Sequence, residues 1–137
     1  MDFEGRQRAK YGDDYVSSEV FLAIRSSDDA LVGMITYRHP LSPFLLQYGG
    51  NIGYSVLPSE RGKGYASEML KRMLAICREY GEERVLISCD KKNLGSARII
   101  QKNGGVLENE VPDTVGLCSG GTIQRYWIAL SETGGDR

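Results

Sequence analysis

Residues 55–66, SVLPSERGKGYA, carry the strongest structural signal in the chain. An apolar strand ends before Pro58, a turn with two glycines follows, and an amphipathic helix begins at once. Glycine allows positive φ and lets a ligand approach the backbone without meeting a Cβ atom. The first N–H groups of a helix lack intrahelical partners, and the helix dipole adds partial positive charge there. The stretch therefore predicts an anion site suited to phosphate or diphosphate, with Arg61 and Lys63 as nearby cations.

Two nucleotide motifs are excluded at this turn. A P-loop needs Gly-Lys followed by Ser or Thr, but Lys63 is followed by Gly64. A dinucleotide fingerprint needs a third glycine three residues after the second, and that position holds Ser67. A tight strand–helix turn with solvated charges stays open as the plainer interpretation.

Outward from this turn, the pattern alternates between strands and helices. Short apolar runs predict strands, and three- and four-residue spacing of apolar side chains predicts helices. The first two strands form a hairpin around the polar turn 26–29, and Gly81 ends the first helix. The apolar face of that helix holds Ala66, Met69, Leu70, Met73, Leu74, Cys77 and Tyr80. The predicted strands are 20–24, 31–37, 48–57, 85–89, 106–111 and 123–130, and the helices are 63–80 and 94–102. This β-β-β-α-β-α-β-β order predicts an α/β (α+β) fold with a mixed sheet.

Composition limits the function classes. The 137 residues carry 17 Lys+Arg and 18 Asp+Glu, so the net charge of −1 gives no broad basic field for nucleic acid. No apolar run is long enough for a membrane span, and the start lacks a signal peptide. Three widely spaced cysteines exclude a disulfide framework and a zinc-type pair, which favours a cytoplasmic protein without a metal. We predict a polar N-terminal segment at 1–19, one domain at 20–131 and a disordered tail at 132–137.

A family resemblance joins the turn to a second motif. Arg61, Gly64 and Ala66 follow a strand that ends in Val-Leu-Pro, and a later block holds Asn93, Ser96 and a closing glycine. Together these resemble the acyl-CoA-binding motifs of the GNAT superfamily of N-acetyltransferases, over residues 20–130. The resemblance implies a GNAT-like, mostly antiparallel mixed sheet with splayed parallel central strands, flanking helices and shortened N-terminal elements. It also implies acetyl-CoA as the acyl donor.

The resemblance also implies roles for particular residues. The Val56 N–H would donate to the thioester oxygen, where one such donor contributes about 3 kcal/mol. Asn93 would bind the pantetheine or an ordered water, although a helix N-cap is an equally common use of asparagine. Ser96 would bond the coenzyme or only its own backbone. The backbone amides that would hold the diphosphate belong to Arg61, Gly62, Lys63, Gly64, Tyr65 and Ala66.

Two departures from the family pattern concern proton transfer. Many members have a tyrosine seven residues after the asparagine, which protonates the leaving thiolate, and here that position is Ile100. Either the thiolate leaves unprotonated, since a thiol pKa lies near 8.5, or Tyr54 or Tyr126 supplies the proton. The third strand has no carboxylate to act as a base, so His39 or water would accept the amine proton.

The resemblance therefore predicts an N-acetyltransferase in which a primary amine attacks acetyl-CoA directly, in a ternary complex. The acceptor would be a small-molecule or peptide amine, with neither nucleic acid nor a membrane as partner. Bare edge strands would favour a homodimer. The alternative is a non-catalytic CoA-binding or regulatory module, which Ile100, the missing carboxylate and the short N-terminal region favour.

Overall fold

The predicted order of strands and helices is confirmed in the computed structural model, which describes residues 17–43, 45–114 and 121–130. The strands are β1 Ser17–Arg25, β2 Ala30–His39, β3 Ile52–Val56, β4 Arg84–Asp90, β5 Val106–Pro112 and β6 Thr122–Ala129. The α-helices in the described residues are α1 Tyr65–Glu79 and α2 Leu94–Lys102. A π turn at Leu45–Gly49 precedes β3, and a 3-10 turn at Pro58–Glu60 follows it.

The strands form two antiparallel sheets, with the orders β1-β2-β3 and β4-β6-β5. The predicted β1–β2 hairpin is confirmed, and its turn is held by the Asp28 side chain, which accepts from the Ala30 amide at 3.2 Å. Because β1 begins at Ser17, residues 17–19 belong to the sheet and not to the predicted N-terminal segment. The remaining domain boundaries stay predictions, and the predicted tail at 132–137 lies outside the described residues.

Asn51 joins the two sheets at one end of the central pair of strands. Its backbone N–H donates to the Leu86 carbonyl at 2.7 Å, and its side-chain Oδ1 accepts from the Leu86 N–H at 2.8 Å. Its Nδ2 donates to the Arg38 carbonyl at 3.0 Å. Beyond this junction β3 and β4 lie in separate sheets and are not paired, and both line one cleft. The predicted α/β fold with separated central strands is thus confirmed, while every strand pairing in the described residues is antiparallel.

Strand β3 is shorter than predicted. The sequence places its start near Tyr48, whereas the structure begins it at Ile52. Residues 45–49 instead form the π turn, and Gly50 has a φ of +77°, which breaks the extended conformation. The Arg38 guanidinium stabilises this turn by donating to the carbonyls of Gly49 and Gly50.

The predicted apolar face of α1 is confirmed, except at its C-terminal end. Met69, Leu70, Met73, Leu74 and Cys77 are buried against the sheet. The helix ends at Glu79, and Gly81 follows with a φ of +88°, as a helix stop requires. The prediction that Tyr80 lies on the buried face is wrong, because Tyr80 caps the helix and its side chain is 50% exposed.

We expect Asn51→Ala to lower the free energy of unfolding by about 2–4 kcal/mol, because it leaves the buried Leu86 N–H and the half-buried Arg38 carbonyl without their side-chain partner. Urea denaturation measures the change. The matched control is Ser59→Ala at an exposed site, which should leave the midpoint unchanged. Equal midpoints for Asn51→Ala and the wild type would contradict a joining role for Asn51.

Candidate active site

A cleft of about 850 Å³ lies where β3 and β4 separate. Its walls are β3, the glycine turn after it, the C-terminal half of β4 and one side of α2. The cleft therefore brings together the two sequence motifs, since the glycine turn and the start of α2 both line it.

The glycine turn presents a row of free backbone amides to this cleft. Gly62 and Gly64 have φ values of +79° and +86°, and Gly64 is the N-cap of α1 without a side-chain cap. The helical hydrogen bonds begin with the Glu68 N–H, which donates to the Gly64 carbonyl at 3.2 Å. Within the described residues, no acceptor receives the amides of residues 62–67. A Cβ atom at either glycine would meet nothing within 4 Å. The turn thus has the geometry of an anion site.

The charged side chains of the turn stabilise its conformation through hydrogen bonds within the protein. Glu60 accepts from Arg25 of β1 at 2.7 Å and from Lys63 at 3.0 Å, and these bonds, with Lys63 the larger cause, lower the pKa of Glu60. Arg25 also contacts the Tyr65 hydroxyl at 3.3 Å. Arg61 donates through Nε to the Val56 carbonyl at 3.0 Å. The cations that the sequence suggests for a ligand are therefore engaged within the protein, and Lys63 does not line the cleft.

The backbone N–H of Val56 points into the cleft. Val56 lies opposite Gly33 of β2, and the neighbouring Leu57 N–H donates to the Val32 carbonyl at 2.9 Å. This is the pattern of a pair that is not itself hydrogen-bonded, so the polar backbone groups of Val56 face away from β2. The same alternation turns the backbone groups of Tyr54 toward the cleft. Strand β3 thus offers a free edge on the side where β4 has separated.

Tyr54 and Ser96 form the polar contact across the cleft. The Tyr54 hydroxyl lies 2.8 Å from Ser96 Oγ, and burial is the main cause that raises the Tyr54 pKa. Asn93 lines the cleft as the N-cap of α2, where its Oδ1 accepts from the Ser96 N–H at 3.0 Å. The N-cap interpretation of Asn93 is therefore confirmed, and its contact with a coenzyme stays a prediction.

The other two proton-transfer candidates lie elsewhere. Tyr126 is 1% exposed, and its hydroxyl bonds Gln101 and Gln124 outside the cleft lining. His39 is at the far end of β2, where its Nδ1 lies 3.0 Å from Glu82 Oε2 in a second cavity. The structure therefore does not bring His39 or Tyr126 to the cleft. Ile100 is fully buried on the core side of α2.

Sequence reasoning missed several residues that build the cleft. Arg25 and Asn51 act through contacts with distant elements, which no local pattern shows. Arg98 and Lys102 line the cleft from α2. Together with Gly95 they have the three- and four-residue spacing of one helix face, and this pattern is visible in the sequence.

The described residues hold neither a cluster of metal ligands nor a membrane-spanning helix. No three histidine, cysteine or carboxylate side chains among them lie together as a metal ion requires. Neither described α-helix is long and apolar enough to cross a bilayer. Of the cysteines, Cys77 is buried, Cys89 lines the cleft, and Cys118 lies outside the described residues.

Comparisons with known proteins agree with this geometry. A family model described as an acetyltransferase (GNAT) domain matches residues 2–106. The uncharacterized N-acetyltransferase YnaD of Bacillus subtilis (strain 168) is 28% identical over 89 residues, which are 64% of this chain and 50% of that protein. This chain thus spans about half the length of that curated relative.

Solved structures show the same fold at low sequence identity. A mutant of the spermidine N-acetyltransferase SpeG from Vibrio cholerae superposes with a TM-score of 0.69 at 13% identity, covering 93% of this chain and 72% of that one. A putative GnaT-family acetyltransferase from Bordetella pertussis gives a TM-score of 0.66 at 18% identity, covering 92% and 71%. With a family model matching most of its length, the chain belongs to the GNAT acetyltransferase family.

Proposed function

We propose that this enzyme transfers the acetyl group of acetyl-CoA to a primary amine. The observation that carries the proposal is the row of free amides at residues 62–67, which lies in a cleft between separated strands. Acetyl-CoA supplies an acetyl group activated as a thioester and joined through pantetheine to a diphosphate. The family uses this donor, and the residues of the cleft fit each of these parts.

The glycine turn would hold the diphosphate. The amides of Gly62 to Ala66, at the positive end of the α1 dipole, are donors already oriented before a ligand arrives. Both glycines leave open space in front of the backbone, so phosphate oxygens can approach closely. The bonds from Arg25 and Lys63 to Glu60 keep the turn in this conformation.

The free edge of β3 would hold the pantetheine and the thioester. The amide of Tyr54 would pair with the extended arm as a neighbouring strand does. The Val56 N–H would donate to the thioester oxygen, on which negative charge develops as the amine attacks. Because this donor is fixed by the β2–β3 pairing, it is oriented before reaction, which is the condition for a large electrostatic effect.

Tyr54 is the hydroxyl that best fits the departing sulfur. Its phenol lines the cleft and contacts Ser96, whereas the Tyr126 hydroxyl is engaged in the core. With its pKa raised by burial, Tyr54 stays protonated at neutral pH and can donate a hydrogen bond to the thiolate. The amine proton passes to water, since His39 lies in the second cavity.

The acceptor we propose is a small-molecule or peptide amine. Several structural neighbours are spermidine N-acetyltransferases, so polyamines belong in any screen. We retain a homodimer as part of the proposal, because β1 and β5 are the outer strands of their sheets.

The test is an assay of CoA release with a panel of amines, on protein first shown to bind acetyl-CoA by calorimetry. The panel holds spermidine, free amino acids, a peptide with a free N-terminus and one with an acetylated N-terminus and an internal lysine. Turnover with any of these supports the proposal and names the acceptor class. Binding of acetyl-CoA without turnover for any amine would contradict the amine acceptor, and absence of binding would contradict the donor.

We expect Tyr54→Phe to lower kcat about tenfold, which corresponds to about 1.4 kcal/mol for one lost hydrogen bond to a charged group. The KM for acetyl-CoA should change little, since the phenol acts on charge that develops at the sulfur. Steady-state kinetics with the best amine measure both constants.

Tyr126→Phe is the matched comparison for this variant. It removes the hydroxyl of another strand tyrosine whose bonds lie outside the cleft, so its kcat should equal that of the wild type. A loss of kcat in Tyr126→Phe with none in Tyr54→Phe would reverse the assignment.

A further inference from the structure

Helix α2 presents two different stripes to its surroundings. Ala97 and Ile100 are buried in the core, whereas Arg98 and Lys102 are exposed and line the cleft one turn apart. Neither cation has a hydrogen bond or ion pair with any residue in the described part of the chain. Two uncommitted cations on one wall of a cleft that fits an anionic coenzyme are a feature that the proposed function leaves unused.

The two ends of α2 fix where these cations lie. Near its start, the Ser96 hydroxyl contacts Tyr54 on the acyl side of the cleft. At its end, Asn103 Nδ2 lies 3.3 Å from the hydroxyl of Ser67, in the first turn of α1. The helical rise separates Ser96 and Lys102 by about 9 Å along the axis. Lys102 therefore lies beside the free amides, with Arg98 one turn closer to the acyl end.

The remaining charged groups of the cleft lining are already engaged. Arg38 donates to the Gly49 and Gly50 carbonyls, and Arg61 donates to the Val56 carbonyl. On the acidic side, Glu60 is neutralised by Arg25 and Lys63, and Asp90 accepts from the Lys92 amide. Arg38 and Arg61 keep their positive charge, because a carbonyl is neutral, so the described cations of the lining without a partner in the protein are Arg98 and Lys102.

We propose that Arg98 and Lys102 bind the 3′-phosphate of the coenzyme and make the enzyme select CoA over 3′-dephospho-CoA. The inference rests on the proposed function, because it concerns the same coenzyme. The turn amides suit the diphosphate, but a terminal phosphate carries close to two charges and calls for full cations. A guanidinium can bind it in a bidentate way, and an ammonium adds a mobile point charge.

The experiment measures Kd by calorimetry for CoA and for 3′-dephospho-CoA, with the wild type and with the double variant R98Q/K102Q. The wild type should bind CoA at least about tenfold more tightly, because 3′-dephospho-CoA lacks the charge-assisted contacts to the phosphate. The double variant should bind the two ligands equally, with its affinity for 3′-dephospho-CoA unchanged. The wild-type preference should also decrease as salt is added, since exposed charges are screened.

The control is Lys71→Gln, an exposed lysine on α1 outside the cleft lining, which should keep the wild-type preference. A preference that persists in R98Q/K102Q would overturn the inference, as would a wild type without preference. If R98Q/K102Q lost affinity equally for both ligands, the two cations would be assigned to the diphosphate, and the inference would also be overturned. If the wild type bound neither ligand, the proposed function itself would fail, which is a different result from the other three.

Discussion

Replacing both Gly62 and Gly64 by valine is expected to weaken acetyl-CoA binding by at least about 100-fold. Both positions have positive φ, where a side chain with a Cβ atom costs about 1–2 kcal/mol at each residue. The chain would relax to negative φ and turn its amides away from the cleft. If it did not relax, the valine side chains would occupy the space in which the phosphate oxygens lie.

This strain also lowers the free energy of unfolding, by about 2–4 kcal/mol for the two residues together, so folding of the variant is checked before binding is measured. A Cβ atom at either glycine meets nothing within 4 Å, so no packed neighbour is displaced. Gly81→Val is the matched control, because Gly81 also has positive φ and open space around it but lies at the other end of α1. In calorimetry with acetyl-CoA, Gly81→Val should keep the wild-type affinity, whereas the double valine variant should lose it. Unchanged affinity in the double valine variant would overturn the diphosphate site and the proposed function with it.

The order of elements could be predicted because it depends on local signals. The stripe of apolar side chains in α1 has a helical period, and Gly81 marks its end. The two glycines of the turn and the apolar run of β4 are equally local. The family motifs then place the turn and α2 at one cleft, which the structure contains.

The parts that could not be predicted depend on contacts between distant residues. Arg25 reaches Glu60 from the first strand, and Asn51 bonds Leu86 across the sheet junction. Neither side chain has a local pattern that reveals its partner. The sequence places the start of β3 too early for the same reason, because the π turn before it is stabilised by Arg38 from the preceding strand.

The candidate proton-transfer residues show this limit most clearly. Tyr54 and Tyr126 both lie in strands with apolar neighbours, so sequence alone makes them equivalent candidates. Only the register of the sheets places one hydroxyl beside Ser96 in the cleft and the other in the core. His39 is the last residue of β2. It lies away from the cleft because the antiparallel pairing puts Gly33, near the other end of that strand, opposite Val56.

Val56→Pro is expected to lower kcat by about 100- to 1,000-fold, the usual effect of removing one oxyanion donor. Proline removes the N–H and leaves the carbonyl to which Arg61 donates. Because Val56 lies in a pair that is not hydrogen-bonded to β2, this N–H is not part of the ladder. Steady-state kinetics should show the loss in kcat, with a much smaller change in the Kd for acetyl-CoA.

Two variants test whether the loss of kcat comes from the missing N–H, and not from the changed side chain or from a disturbed strand. Val56→Ala shortens the side chain but keeps the N–H, so its kcat should stay close to that of the wild type. Ser55→Pro removes an N–H that does bond β2, because Ser55 lies opposite Met34 in the hydrogen-bonded kind of pair. It should lower the free energy of unfolding by about 1–3 kcal/mol, whereas Val56→Pro should not. Activity that survives in Val56→Pro would show that the charge on the thioester oxygen is stabilised by another group.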